Sequence, residues 1–303
     1  MGDTRAEQTP RTILYAHSSS GRYGADRQLL ALATGADPAR YRAIVVLPAE
    51  GELAADLRAA GIEVHLRRLG VLRRALLSPA GLARVGARVI ADAVALGRLA
   101  RAQGVALVHS NTSVTLGGAA AALRTGLPHV YSVREIYTDF ERLWPAYRRV
   151  LLGTADVLCC SSEATCGQFG GDPRARVVHE GVTAAATRAE RGAARAALAL
   201  PPDAFVCVVL GRISSWKGQE VLVRALAAPP LRDSGALALI AGAAWPGEER
   251  HEHTLRVLTA GLGLGDRVRF AGFRPDTGNL YGAADVVVVP STQPDPLPNS
   301  ALE

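Results

Sequence analysis

Lysine is almost missing from this chain: of 34 basic residues among 303, one, Lys217, is lysine and 33 are arginine. Aromatic residues make up only 5% of the sequence, so its cores must be aliphatic, built mostly from Ala, Leu and Val. There is no helix-turn-helix, zinc-finger or aromatic RNA-binding pattern, and nucleic acid is not expected as a partner. The four cysteines, Cys159, Cys160, Cys166 and Cys207, lack zinc-ligand spacing and read as small buried hydrophobes in a reducing compartment. No apolar run reaches the roughly 18 residues that suggest a membrane span. Met1 to Arg11 is polar and mixed in charge, without the apolar stretch of a signal peptide, so a cytoplasmic protein is expected.

What is present is ample for packed domains. Hydrophobic content is 49%, and 303 residues suggest two domains of ordinary size. The net charge of +6 suits an anionic substrate or an anionic membrane surface.

Short β-rich runs alternate with Ala/Leu/Arg helical stretches. Thr12–Ala16, Ala43–Leu47, Ile62–Leu66, Val105–His109, His129–Val133, Asp156–Cys160 and Arg176–His179 read as strands. Between them lie amphipathic segments such as Asp26–Ala33, Leu53–Ala60, Leu82–Ala102 and Val114–Arg124. Such alternation implies a parallel sheet covered on both faces. The near-continuous apolar character of the runs fits strands buried on both sides. Around Thr183–Arg195 the pattern breaks, as at an interdomain link, and a short helix to Leu200 is ended by Pro201 and Pro202. A second alternation follows: Phe205–Leu210, Val221–Ala227, Leu237–Ala241, Thr254–Leu262, Val268–Ala271 and Asp285–Val289. The expected domains are residues 11–183 and 196–303. Only 99 residues run from Phe205 to Glu303, against about 150–200 for a full domain of this type, so the second domain reads as truncated.

The single lysine closes the run Gly211-Arg212-Ile213-Ser214-Ser215-Trp216-Lys217-Gly218, directly after a strand. Arginine is a planar fork and lysine a compact point charge, so a site holding one of each suits a phosphate or diphosphate. Downstream, after the last strand, stand two carboxylates with seven residues between them: Asp295 and Glu303, in Pro290-Ser291-Thr292-Gln293-Pro294-Asp295-Pro296-Leu297-Pro298-Asn299-Ser300-Ala301-Leu302-Glu303. Ser300-x-x-Glu303 also has the form of a helix-capping box.

Taken together, these two segments resemble the donor site of family 4 of the retaining glycosyltransferases, with its Gly-Arg-x4-Lys-Gly run and acidic pair. The resemblance runs from about Thr12 to the last residue, and the first acidic residue is Asp where the family usually has Glu. It implies the GT-B fold, two Rossmann-like parallel-sheet domains, here with the second incomplete. It also implies transfer of a sugar from a nucleoside-diphosphate sugar to a hydroxyl of a glycan, lipid-linked or small-molecule acceptor. Arg212 and Lys217 would stabilise the leaving diphosphate, with Gly211 and Gly218 permitting close backbone approach. Asp295 would contact hydroxyls of the donor sugar and Glu303 the ribose. Ser291 joins the donor-binding set, as do Phe273 and Asp276, in the segment that holds the nucleotide base. By the same resemblance no metal or other cofactor is needed, and no protein nucleophile, since the acceptor takes its place as the diphosphate leaves. The nearest metal-like grouping, Glu248, Glu249, His251 and His253, reads instead as a solvated loop and helix start.

Further segments are expected to line the cleft. Gly21 and Gly24 lie in the loop after the first strand, where relatives have a Gly-Gly pair, though a bare turn reads equally well. Arg134 and Glu135 follow the fifth strand, where many relatives carry a His that contacts the transferred sugar. Ser162, Glu180 and Gly181 follow later strands and suit ordinary strand-end turns as well. The basic and apolar stretch Arg67–Leu77 has two readings, a face resting on the inner surface of an anionic membrane or a solvated helix face. Two alternatives to transfer stand beside the main expectation: a catalytically incomplete remnant, and a nucleotide-sugar epimerase.

Overall fold

The apolar runs form parallel strands, and the computed structural model describes residues 9–73, 76–137, 142–181, 188–244, 247 and 249–303. The chain divides into two units, Met1–Gly181 and Val182–Glu303.

In the first unit the order is β1 (Arg11–Ala16), α1 (Gly24–Gly35), β2 (Tyr41–Leu47), α2 (Glu52–Ala59), β3 (Glu63–Leu66), α3 (Pro79–Ala102), β4 (Val105–Ser110), α4 (Leu116–Thr125), β5 (His129–Val133), α5 (Trp144–Thr154), β6 (Val157–Cys160), α6 (Glu163–Gly167) and β7 (Ala175–Val177). The seven strands form one parallel sheet in the order β3-β2-β1-β4-β5-β6-β7. Alternation along β1 and β2 feeds two cores. Leu14, Ala16, Ile44 and Val46 pack on one face with Leu96, Ala100, Ala121 and Ala122. Tyr15, Val45 and Leu47 pack on the other with Leu29, Ala33, Leu53 and Leu57. The strand order reverses between β1 and β4, and in open parallel sheets ligands bind beyond the strand ends at such a switch.

The second unit repeats the plan with fewer strands: α7 (Arg191–Ala197), β8 (Val206–Leu210), α8 (Gln219–Ala227), α9 (Leu231–Ser234), β9 (Leu237–Ala241), α10 (Glu249–Gly261), β10 (Val268–Gly272), α11 (Thr277–Ala283), β11 (Val286–Val287) and α12 (Asn299–Leu302). Its parallel sheet has the order β10-β9-β8-β11, with the reversal between β8 and β11. Here too both faces are covered, by the groups around Val209 and Leu226 and around Val208 and Leu280.

Several expectations need correction. A helix, α5, stands between β5 and β6, where the aromatic stretch Trp144–Tyr147 carries no clear Ala/Leu pattern. The helix expected from Leu82 starts at Pro79, with the Ser78 hydroxyl accepting the Gly81 N–H at 3.1 Å and Pro at the first turn. That expected from Val114 starts only at Leu116. In the link, residues 182–187 lie outside the described residues, while Arg191–Arg195 is already helical, because both Glu190 carboxylate oxygens accept N–H groups at its start. That helix does not run to Leu200 and is not stopped by Pro201. It ends at Ala197, with Ala199 in the left-handed region at φ +49°.

The stretch Arg67–Leu77 is not a solvated helix face. Leu69 and Val71 are buried, and the Leu72 N–H donates to the Val114 carbonyl at 2.9 Å. The buried Asp92 of α3 draws this segment in, accepting the Gly70 N–H at 2.6 Å and Arg67 Nε–H at 2.9 Å. Arg74 and Ala75 lie outside the described residues. The cysteines are all free, but only Cys160 and Cys207 are buried; Cys159 and Cys166 are half-buried. No helix among the described residues is long and apolar enough to cross a membrane.

Candidate active site

The candidate residues fall in both units and are described within each. In the second unit, the loops after β8 and β11 meet at the switch point. Gly211 leaves β8 with φ +149°, and Gly242, after β9, approaches so closely that a Cβ there would stand 1.9 Å from the Gly211 carbonyl oxygen. Arg212 follows, its carbonyl accepting Gln219 Nε2–H at 2.8 Å. The loop closes at Gly218, φ +70°, which caps α8. There a Cβ would stand 1.9 Å from the Pro290 carbonyl oxygen, so glycine is what lets the loops touch. The contact is sealed by the Thr292 N–H, which donates to the Trp216 carbonyl at 2.8 Å.

Across this contact Lys217 Nζ donates to Asp295 Oδ2 at 2.6 Å, and Ser291 Oγ–H donates to the same oxygen at 3.0 Å. The pair is largely shielded, with side-chain exposures of 24% and 11%. Lys217 Nζ also lies 4.3 Å from the centroid of the Trp216 ring. The Ser214 hydroxyl, in the same loop, is buried and has no hydrogen-bond partner among the described residues. A buried polar atom left unpaired calls for an explanation, and an absent ligand oxygen is one.

Glu303 does not join a capping box. Ser300 is inside α12, whose N-cap is Pro298, and Glu303 lies at the C-terminal end. The proline sequence before Asn299 sets the helix start, and Glu303 Oε2 instead accepts the Tyr281 hydroxyl at 3.0 Å. After β10, Arg274 grips Asp276 through Nε (2.9 Å) and Nη2 (2.6 Å), and this guanidinium holds the Asp276 carboxyl below its ordinary value. Phe273 beside it is exposed.

In the first unit, Arg134 and Glu180 are brought together: Arg134 Nε–H donates to Glu180 Oε1, and both side chains are nearly buried. Glu135 turns elsewhere, accepting Ser113 Oγ–H and, at 3.1 Å, the Arg134 N–H. Burial pushes the Glu135 carboxyl up despite these donors. Ser162 caps α6, exchanging hydrogen bonds with Thr165. The Gly181 carbonyl accepts Gln28 Nε2–H at 2.9 Å. Gly24 is the first residue of α1, and a Cβ on Gly21 would stand 3.3 Å from Asp26 Oδ2.

Three buried residues at the β1–β4 switch were not singled out by sequence. His17 follows β1, Asn111 follows β4, and Asp26 lies in the first turn of α1. His17 Nε2 is 2.8 Å from Asp26 Oδ1, and Asn111 Nδ2 is 3.2 Å from His17 Nδ1. Asn111 Oδ1 accepts Arg134 Nη1–H at 3.0 Å. Burial opposes the Asp26 charge, yet hydrogen bonds from His17, Ser19 and the Tyr23 N–H outweigh it and lower the pKa. The available signal is a polar residue directly after an otherwise apolar strand, His17 after β1 and Asn111 after β4, which belongs to no charged motif. Among the described residues, no group of three or more His, Cys, Asp or Glu is placed to hold a metal ion; Glu248 lies outside them.

Two family models match the chain: Glycosyltransferase Family 4 over residues 23–185 and Glycosyl transferases group 1 over residues 190–303. A D-inositol 3-phosphate glycosyltransferase of Streptomyces bingchenggensis is 35% identical over 158 residues, 46% of this chain and 34% of the relative. One from Salinispora tropica is 36% identical over 162 residues, 46% of this chain and 33% of the relative. The match thus spans about a third of the length of these curated relatives. Among solved structures, Anabaena Alr3699/HepE in complex with UDP-glucose is similar with a TM-score of 0.75 at 27% identity, covering 94% of this chain and 75% of that one.

Proposed function

The chain belongs to glycosyltransferase family 4, and from that premise we propose that it moves a sugar from a nucleoside diphosphate to a hydroxyl acceptor, with retention at the anomeric carbon. The observation that carries the reading is the pairing of Lys217 with Asp295 at 2.6 Å across the β8–β11 switch point. Residues 78 positions apart in sequence meet where an open parallel sheet receives its ligand.

The chemistry follows from the charges. As the glycosidic bond breaks, negative charge grows on the leaving diphosphate. A guanidinium and an ammonium held beside it stabilise that charge more in the transition state than before it. Arg212 and Lys217 supply both cations, so the reading needs no bound metal. The buried Ser214 hydroxyl offers a further hydrogen bond to a phosphate oxygen. Once Lys217 turns to phosphate, Asp295 is released to accept hydroxyls of the sugar. Tyr281 donates to Glu303 Oε2, and the carboxylate suits a ribose hydroxyl.

UDP is the first base to test, since the HepE structure contains UDP-glucose. The names of the curated relatives put a phosphorylated polyol beside glycan and lipid hydroxyls among candidate acceptors. Four free cysteines support a reducing, cytoplasmic setting. The test is a thermal-shift series with UDP, GDP and ADP on the wild type and Lys217→Ala. A ligand at a hundred times its Kd stabilises by about 2.7 kcal/mol, and that shift should disappear in the variant. A folded wild type indifferent to all three nucleotides would overturn the reading.

A further inference from the structure

Donor and acceptor chemistry assigns a direction to every hydrogen bond between Arg134 and Asp26. A guanidinium only donates, so the Asn111 atom facing Arg134 Nη1 at 3.0 Å is the amide oxygen. Asn111 Nδ2 therefore faces the other way, donating to the Ala25 carbonyl at 3.1 Å and to His17 Nδ1 at 3.2 Å. His17 Nδ1 must carry a lone pair, so its proton is on Nε2, where it donates to Asp26 Oδ1 at 2.8 Å. The far carboxylate oxygen, Oδ2, accepts the Tyr23 N–H at 3.0 Å. His17 and Asn111 are fully buried and Asp26 is 2% exposed, so bulk water offers none of them a substitute partner.

The guanidinium is planar and rigid, so fixing two of its nitrogens fixes the third. Nε is held by Glu180, and Nη1 by both the carbonyl and the side chain of Asn111. Among the described residues Nη2 has no partner. We infer that Asp26, His17 and Asn111 are positioning residues that hold Arg134 in one orientation, so that Nη2 donates to an oxygen of the bound substrate. The identity of that substrate rests on the sugar-transfer reading; the relay rests on the hydrogen bonds alone.

Asp26→Asn tests it with almost no change of shape. The new amide nitrogen must replace either Oδ2, against the Tyr23 N–H, or Oδ1, against His17 Nε2. The first sets the amide against the fixed Tyr23 N–H; the second escapes that by moving the His17 proton to Nδ1, where it meets the Asn111 amide and passes the donor–donor contact on to the residue that holds Arg134. In histidine-labelled protein, long-range 1H–15N correlation should show His17 with its proton on Nε2 in the wild type and on Nδ1 in Asp26→Asn. The His17 signals are identified by their loss in His17→Gln. A wild-type proton on Nδ1, or an unchanged tautomer in Asp26→Asn, overturns the relay.

The functional arm measures UDP-glucose turnover and UDP affinity in folded variants. Asp26→Asn, Asn111→Ala and Arg134→Ala should each lower kcat about tenfold or more, with UDP affinity little changed. The double variant Asn111→Ala/Arg134→Ala should be no slower than Arg134→Ala alone, because coupled residues are not additive. Additive losses would mean Asn111 acts without Arg134 and would sink the proposal. A wild type that binds no nucleotide would refute the sugar-transfer reading instead, while the histidine spectra still decide the relay.

Discussion

The α-carbon of Gly218 and the carbonyl oxygen of Pro290 stand closer than any side chain permits, since a Cβ on Gly218 would lie 1.9 Å from that oxygen. Gly218→Ala must therefore enter the left-handed region, at a cost of about 1–2 kcal/mol, and also push the β11 loop away. The expected result is a melting temperature lower by roughly 5 °C or more, with loss of any nucleotide response. Gly261→Ala, at the end of α10 with nothing within 4 Å of the new Cβ, should leave both unchanged. Equal behaviour of the two variants would show that the loop contact is not maintained in solution.

Lys217 and Asp295 neutralise each other in the ligand-free protein, so a diphosphate must compete with Asp295 for the ammonium. Asp295→Asn removes the competitor. UDP affinity should rise about threefold or more, in line with about 0.7 kcal/mol for a pair of this exposure. Sugar transfer should fall at the same time, because the sugar loses its carboxylate. Titration calorimetry with UDP beside a turnover assay separates the two effects; a drop in UDP affinity would contradict the competition.

Part of the acid sensitivity should come from His129, beside His109, whose pKa burial lowers to about 3. His129 Nε2 accepts from Ser110 Oγ at 3.0 Å, its Nδ1 donates to the Thr154 carbonyl at 2.7 Å, and burial lowers its pKa to about 4. The unfolded chain binds this proton near pH 6.5, so the unfolded state gains protons first as pH falls. Stability is complete above about pH 6.5 and declines down to about pH 4, by on the order of 3 kcal/mol from this residue. His129→Asn should flatten that part of the stability curve in denaturant titrations across the same window. An unaltered slope would assign the acid loss to other groups.

Arg195 is 2% exposed, and its Nη2 meets Asp285 Oδ2 at 2.7 Å. Its Nε also donates to the Ala283 carbonyl at 3.2 Å, fastening α7 to α11. Arg195→Ala leaves Asp285 with Arg191 and the Val206 N–H as its partners but removes charged hydrogen bonds from a buried site, and should cost about 1.5–3 kcal/mol, read as earlier unfolding of the second unit. Arg232→Ala, an exposed ion pair on the same unit, should cost less than about 1 kcal/mol.

Legibility in the sequence followed burial. Runs such as Ile44–Leu47 and Val206–Leu210 had one physical solution, a strand covered on both faces, and were placed to within two residues. The glycines at 211 and 218 marked sharp backbone geometry, and the lone lysine marked a charge that arginine had not displaced. What stayed hidden depends on distant partners. Asp92 looks like one more helical carboxylate until its contacts with Gly70 and Arg67 are seen. His17 and Asn111 are 94 residues apart, and neither has a neighbour in sequence that announces the other. Ser300-x-x-Glu303 matched a local rule, but the helix is capped at Pro298, ahead of Ser300.

The indole of Trp216 lies beneath the Lys217 ammonium, 4.3 Å from ring centroid to nitrogen. An ammonium so near the ring perturbs its excited state, and a diphosphate that draws the ammonium off would change the emission. With Trp144 and Trp245 replaced by phenylalanine, the protein becomes its own fluorescent sensor, reporting nucleotide arrival at the one lysine it possesses.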